Sequence, residues 1–248
     1  MNSSPLTKLS PDAKLSQIMS ANHCAAELLR SIGLRPSNHS NETLRSICRQ
    51  RQWNEVEVLQ WIKKKSHSGE NCNEFAEQQE PHYGNDLLKW CNYVSDTLHV
   101  PTTSLLQEIS GRFPKFSTGG VNQYPRLEEM QRYFTNFSED LQLYMKFEQL
   151  KLFPLARRVS QSDAHILDGT IRQLQRGVQI ISSDQKRLSR LLDTVAEQGH
   201  HFHTPPDTSS AHSILYKTLL TLKSQLNKQF KVEKEHIIPL IHRSLRTL

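Results

Sequence analysis

Glycine is scarce in this sequence, with nine residues in 248. So few glycines argue against a β sandwich, whose many turns depend on residues that adopt unusual backbone angles. The chain is instead rich in Leu, Gln, Lys, Arg and Glu, which favour helices. The sequence therefore predicts an all-α protein, long enough to form one large domain or a small domain and a medium one.

Cysteine is scarcer still, with four residues at positions 24, 48, 72 and 91. No two of them form a CxxC pair, which excludes the common zinc and dithiol redox motifs. We therefore expect four free thiols in a reducing compartment.

A concentrated basic surface and a long apolar run are also missing. The formal net charge is +6, but the basic residues are spread along the chain and do not alternate with aromatic residues. This distribution argues against a nucleic-acid partner. Neither the N-terminus nor any later segment has an apolar run that could span a membrane, so we expect a cytoplasmic protein without a membrane partner.

The hydrophobic pattern divides the chain into three parts. Short helical patterns in residues 8–65 predict a small N-terminal helical domain, and the polar residues 66–82 predict a linker. In residues 83–248, helical periodicity recurs in four long segments joined by short connections that carry Gly, Pro or helix-capping residues. Such a pattern predicts an up-down four-helix bundle, with helices near 84–111, 125–158, 164–199 and 209–246.

Two of these long segments share one motif. YMKFEQLKLFP (144–154) and QFKVEKEHIIP (229–239) each place a Glu six residues before a Pro that is expected to stop the helix. In a bundle built from two similar helix pairs, Glu148 and Glu233 would meet in the core. Because two buried carboxylates need protons, cations or a metal ion to offset their charge, the pair marks a candidate metal site.

The same residues resemble a known family. The C-terminal half is similar to the hemerythrin-like domain of the di-iron proteins that repair iron–sulfur clusters, and the N-terminal module, notably residues 31–44, is similar to the small domain that precedes it there. The family has a His, three residues, a Glu and then Leu-Phe-Pro in two helices. Here Tyr144 and Gln229 stand at the positions of the two His residues, ahead of Glu148 and Glu233.

Two further family positions can be placed on this sequence. Tyr93-Val94, three residues and Leu98-His99 match the first helix and keep one of its histidines, His99. Gln185, ahead of Leu191-Leu192, stands where the third helix of the family has a His. The vicinal cysteines of the family's small domain correspond to Ser37-Asn38. The resemblance thus implies a site that retains His99, Glu148 and Glu233 and has lost three imidazoles.

The resemblance implies iron, as a di-iron centre, and a role in the repair of iron–sulfur clusters damaged by oxidative or nitrosative stress. Iron–sulfur proteins or a related repair protein are the implied partners, a homodimer is left open, and conventional enzyme activity is not expected. Amide oxygen is a weak ligand, so Gln185 and Gln229 predict weaker iron binding. The alternative is a metal-free scaffold or regulatory bundle whose polar core residues hydrogen-bond to each other. A bundle unrelated to iron is a third alternative.

Other histidines allow a second metal-site interpretation. His200, His201 and His203 resemble a ligand cluster, but they lie at a helix end beside Pro205-Pro206, where an exposed polar loop is expected. His236, three residues after Glu233, lies roughly on the same helix face and could enter a rearranged site.

Overall fold

The computed structural model describes residues 10–21, 23–32, 34, 39, 41–67, 81–117, 125–161, 168–203 and 209–246. In these residues the structure is helical, apart from one isolated antiparallel bridge between Lys14 and Thr43, and no strand is present. The all-α prediction is confirmed. The chain forms two compact units, one comprising residues 1–80 and 202–218 and the other residues 81–201 and 219–248.

The described residues of the first unit contain four short helices: α1 (Leu15–Ala21), α2 (His23–Ser31), α3 (Leu44–Gln50) and α4 (Glu55–His67). The Thr43 side chain accepts a hydrogen bond from the Ser46 backbone N–H at 3.1 Å, which caps the start of α3. The helices bury one apolar core, whose fully enclosed members include Leu15, Leu29, Ile47, Val58, Ile62 and Ile214. Ile214 comes from residues 202–218, which the sequence interpretation had assigned to the second domain.

Four long helices run through the described residues of the second unit, and three of them change locally into a π-helix. The fourth helix begins within residues 202–218, which belong to the first unit. The first long helix comprises α5 (Leu87–Asn92), a π segment (Tyr93–His99) and α6 (Val100–Ser110), and short α7 (Pro114–Ser117) follows it. The second comprises α8 (Pro125–Phe147), a π segment (Glu148–Leu152) and α9 (Phe153–Gln161). The third is α10 (Asp168–Gln198). The fourth comprises α11 (Ser210–Val232), a π segment (Glu233–Ile237) and α12 (Ile238–Arg246).

The second long helix contacts each of the other three. It packs most extensively against α10, and its last part, α9, contacts both α5 and α12. The first and fourth long helices also meet, through α5 and the π segment Glu233–Ile237. This arrangement places the three π segments in a common core. The hemerythrin-like, up-down topology of these helices stays a prediction.

Cys24 is disulfide-bonded, so the expectation of free thiols is wrong for that residue, whereas Cys48 and Cys91 are free and buried. The predicted linker, 66–82, falls mostly on residues outside the described ranges. No helix in the described ranges is both long enough and apolar enough to cross a membrane.

Candidate metal centre

Each π segment carries one of the residues that the sequence singled out. The first ends at His99, the second begins at Glu148 and the third begins at Glu233. A π turn contains one extra residue relative to an α turn, and such turns occur frequently at functional sites. The coincidence of three π segments with three candidate ligands makes this core the candidate functional site.

The π segments have a cause in the sequence. A proline inside a helix has no N–H to donate, and its ring clashes with the carbonyl group four residues earlier. Before Pro154, the N–H of Phe153 donates to the carbonyl of Glu148, five residues back. Before Pro239, the N–H of Ile238 donates in the same way to the carbonyl of Glu233. The wider turn accommodates the proline ring, and the helix continues.

The helices therefore do not stop at Pro154 and Pro239, although the predicted helix bounds near 125–158 and 209–246 already extended past both prolines. The second long helix runs on to Gln161 and the fourth to Arg246. The prolines instead fix the location of the π turn, and with it the direction in which each Glu side chain points.

The core brings His99, Glu148 and Glu233 together. One ligand atom from each residue lies within 4.8 Å of the others, so the group could hold a metal ion. The side chains are buried, with 2% exposure for His99 and 0% for both glutamates. His99 Nε2 lies 3.0 Å from Glu148 Oε2. These contacts join helices that are 49 and 85 residues apart in the sequence.

The three residues that replace histidines surround the same carboxylates. The Tyr144 hydroxyl donates a short hydrogen bond to Glu233 Oε2, and Gln185 Nε2 donates to the same oxygen at 2.6 Å. Gln229 Nε2 donates to Glu148 Oε2 at 3.3 Å. The six residues predicted for the site therefore form two hydrogen-bonded groups, one around Glu148 and one around Glu233, and the ligand atoms of His99, Glu148 and Glu233 lie within 4.8 Å of one another.

One oxygen of each carboxylate remains without a donor. Glu148 Oε1, Glu233 Oε1 and the amide oxygen of Gln229 are buried and accept no hydrogen bond from the described residues. A buried acceptor without a partner loses its hydration and gains nothing in return, which costs about 1–3 kcal/mol per group. Three such oxygens beside an imidazole provide the ligand chemistry of a cation site.

Burial sets the protonation of this group. It lowers the pKa of His99 to about 4, because the charged imidazolium loses its hydration, so the ring is neutral near pH 7. Burial also raises the pKa of Glu148 to about 8. The pKa of Glu233 is raised as well, first by burial and then by the charge of Glu148. Without a cation, the carboxylate pair thus favours holding a proton.

The donor set fits one metal ion but not the di-iron centre that the resemblance implies. The family that the chain resembles has a histidine at each position of Tyr144, Gln185 and Gln229, so its two ions need several imidazoles in addition to the two glutamates. Here one His and two Glu residues form the group, and Tyr144, Gln185 and Gln229 present hydrogen-bond donors to it. These donors hydrogen-bond to Oε2 of each carboxylate. The two Oε1 atoms, which accept no hydrogen bond from the described residues, are then available to a single ion.

The other histidines do not join the group. His236 stacks on Trp90, with ring centroids 3.9 Å apart and planes 4° from parallel. His200, His201 and His203 are exposed, as the sequence predicts. His200 and His201 lie in a turn, His200–Phe202, in which three consecutive residues adopt positive φ. Among the described residues, only the group of His99, Glu148 and Glu233 could hold a metal ion.

Sequence reasoning missed one polar residue of the site. Gln149 Nε2 lies 3.0 Å from His99 Nδ1, the ring nitrogen that faces away from Glu148. Its position directly after Glu148 gave no signal, because in an α-helix adjacent residues point about 100° apart. The proline spacing, by contrast, could have indicated the π turns in the second and fourth helices.

Comparison with known proteins does not identify the chain. No protein-family model matches it, and no curated protein matches it. The resemblance to the iron–sulfur cluster repair family therefore stays a prediction based on the quoted residues.

Proposed function

We propose that this chain is an iron-binding helical protein that holds a single iron ion at His99, Glu148 and Glu233. The observation that supports this most directly is the set of buried orphaned oxygens beside a neutral imidazole. Imidazole and carboxylate together suit iron. A bound cation would also neutralise two carboxylates that are costly to bury as a charged pair.

The proposed physiological role follows the resemblance. We place the protein in the response to oxidative or nitrosative damage of iron–sulfur clusters, with an iron–sulfur protein or a related repair protein as its partner. When bound, iron would supply a redox-active, Lewis-acidic centre. The residues of this chain would bind the ion, exclude bulk water from it and hold the carboxylates in place through Tyr144, Gln185 and Gln229.

A metal-free core is the second candidate. It is favoured by the hydrogen bonds that one oxygen of each Glu already accepts. It is also favoured by the raised pKa of Glu148, which allows one carboxyl to hold a proton and donate it to the other. In this case the candidate ligands and the residues that replace histidines have only a structural role, as hydrogen-bonding partners in the core. The protein then acts as a scaffold or regulator.

Thermal unfolding with ferrous iron under anaerobic conditions separates the two candidates. A ligand that binds only the folded state stabilises it by about 2.7 kcal/mol when its concentration is a hundred times Kd. We expect iron to raise the unfolding temperature, a chelator to reverse the rise, and Glu148→Gln to abolish it. In the metal-free case iron and chelator have no effect, and Glu148→Gln is neutral or stabilising because the amide has a similar size and still offers a donor and an acceptor to the core.

A further inference from the structure

Gln149 contacts the candidate ligand His99 from outside the buried core. Gln149 is exposed, whereas the His99 imidazole that it contacts is buried. The contact is between the side-chain amide and Nδ1, at 3.0 Å, while Nε2 faces Glu148 at the same distance. The two nitrogens of one ring thus have two different neighbours, one on each side.

These two contacts define the tautomer of the ring. A neutral imidazole carries one N–H and one lone pair. In the amide orientation that places Nε2 of Gln149 beside Nδ1, the amide nitrogen can only donate, so Nδ1 is the acceptor and Nε2 carries the hydrogen. Nε2 then donates to Glu148 Oε2. In this state the lone pair points away from the carboxylates, so the ring cannot bind a metal ion placed between them.

Metal binding requires the opposite tautomer. The nitrogen on the carboxylate side, Nε2, must offer its lone pair, and the hydrogen must move to Nδ1. Nδ1–H then needs an acceptor. Rotation of the Gln149 amide by half a turn supplies one, since it exchanges the NH₂ group for the amide oxygen. The rotation takes place on an exposed side chain, so the core need not repack.

We propose that Gln149 is a positioning residue that sets the tautomer of His99 and so governs whether the imidazole can bind a metal ion. This inference rests on the proposed iron site. Partners of this kind, placed behind a metal-bound histidine, typically change metal affinity by about 10–100-fold when they are mutated. Gln149 differs from a fixed carboxylate partner because its amide supports either tautomer and thereby links the metal-free and metal-bound states.

Two substitutions of Gln149 test the proposal in opposite directions. Gln149→Glu places a pure acceptor beside Nδ1, which favours the hydrogen on Nδ1 before any metal is added. Gln149→Leu keeps the size of the side chain and removes both donor and acceptor. The matched controls are Gln142→Glu and Gln142→Leu, because Gln142 lies on the same long helix and donates to Ser138 Oγ at 3.2 Å.

Two measurements are made on the full-length chain. Nitrogen-15 NMR of the histidine rings reports the tautomer of His99 in the metal-free protein. The signals of His99 are assigned as those that disappear in His99→Gln. We expect the hydrogen on Nε2 in the wild-type chain and on Nδ1 in Gln149→Glu. Anaerobic titration with ferrous iron is expected to show several-fold tighter binding in Gln149→Glu and about tenfold weaker binding in Gln149→Leu, with both Gln142 variants unchanged.

The outcomes separate this inference from the proposed function. If iron binds but the His99 tautomer and the iron affinity are the same in wild-type and Gln149 variants, Gln149 has no positioning role and the iron site stands. If the wild-type chain binds no iron, the proposed function fails, and the metal-free NMR spectra still decide whether Gln149 sets the tautomer. Equal changes in the Gln149 and Gln142 variants would also overturn the proposal, since such changes would not depend on the contact with His99.

Discussion

At the scale of the residue, this protein depends on two glutamates in a place where glutamate is costly. Glu148 and Glu233 are fully buried, and each has one oxygen served by donors and one without a donor in the described ranges. The surrounding Tyr and Gln residues lower the cost without removing it. Either a proton or a cation must complete the site.

The protonated form of the site predicts a pH dependence of stability. The pKa of Glu148 is raised from 4.5 to about 8, so the folded state binds this proton more tightly than the unfolded state. The resulting stabilisation is present below the unfolded pKa and is lost as the pH rises through 8. Urea unfolding of the metal-free chain should therefore show a free energy of unfolding that falls between about pH 5 and pH 8.

The control for this prediction is Glu148→Gln, which cannot titrate at that position. The fall in stability should become smaller in this variant. A wild-type profile with the same slope as the variant would show that Glu148 is not protonated in the folded state.

The sequence predicted which residues meet in the site, but not how they meet. The repeated Glu and Pro positions, together with the family resemblance, pointed to six residues that lie close together in the structure. They did not indicate that Tyr144 and Gln185 share one oxygen of Glu233, because that depends on rotamers and on distances between helices. Gln149 was missed because an α-helical projection directs it away from Glu148.

At the scale of the element, the π turns are the feature that could not be predicted directly from the hydrophobic pattern. Prolines were expected to end the helices, which is the usual outcome when no alternative hydrogen bond is available. Here the residues before Pro154 and Pro239 bond to a carbonyl five residues back, and the helices continue. The prolines therefore help to set the directions in which the Glu148 and Glu233 side chains point.

Replacing Pro154 tests this role. Pro154→Ala restores an N–H and removes the ring clash, so the segment can return to an α-helix, which shifts the helical phase by about 100° between Glu148 and the residues after it. We expect a stability equal to or above that of the wild type, with at least tenfold weaker iron binding.

The control for the proline is Pro114→Ala, at the first position of a short helix where proline is well tolerated. Its iron affinity should be unchanged. Unaltered iron binding in Pro154→Ala would mean that packing alone maintains the π turn.

A close helix contact supports the same π segment from the side of α10. A Cβ atom placed on Gly177 would lie 2.8 Å from Leu152 Cδ1, and Leu152 is fully buried at the end of the segment Glu148–Leu152. Gly177→Ala should therefore lower the free energy of unfolding by about 1–3 kcal/mol through overpacking.

Gly169, in the same helix, provides the matched control. A Cβ atom on Gly169 meets nothing within 4 Å. Gly169→Ala should be neutral or stabilise the protein by up to about 1 kcal/mol, because alanine is the better helix former. Similar losses in both variants, measured by chemical denaturation, would argue against a specific contact with Leu152.

At the scale of the whole molecule, the sequence predicted an all-α chain with a small N-terminal part and four long helices. It assigned residues 202–218 differently from the structure, which groups them with the N-terminal helices. The reason is that Ile214 lies in a long amphipathic pattern, and periodicity alone does not indicate which neighbours cover an apolar face. Its partners, such as Leu15 and Ile62, come from helices far away in the sequence.

This grouping predicts the behaviour of a fragment. A chain that begins at residue 81 lacks α1–α4 and exposes Ile214, which is fully buried in the complete protein. We expect the fragment to aggregate, and Ile214→Ser to improve its solubility. In the full-length chain the same substitution should destabilise the first unit. Equal solubility of the two fragments by sedimentation would contradict the assignment.

The central claim is that the buried group of His99, Glu148 and Glu233 holds one metal ion. Its most direct test is the iron content of the full-length protein after anaerobic reconstitution with ferrous iron and removal of excess metal. We expect one iron ion per chain in the wild type and none in Glu233→Gln. Absence of bound iron in the wild type, or two ions per chain, would contradict it.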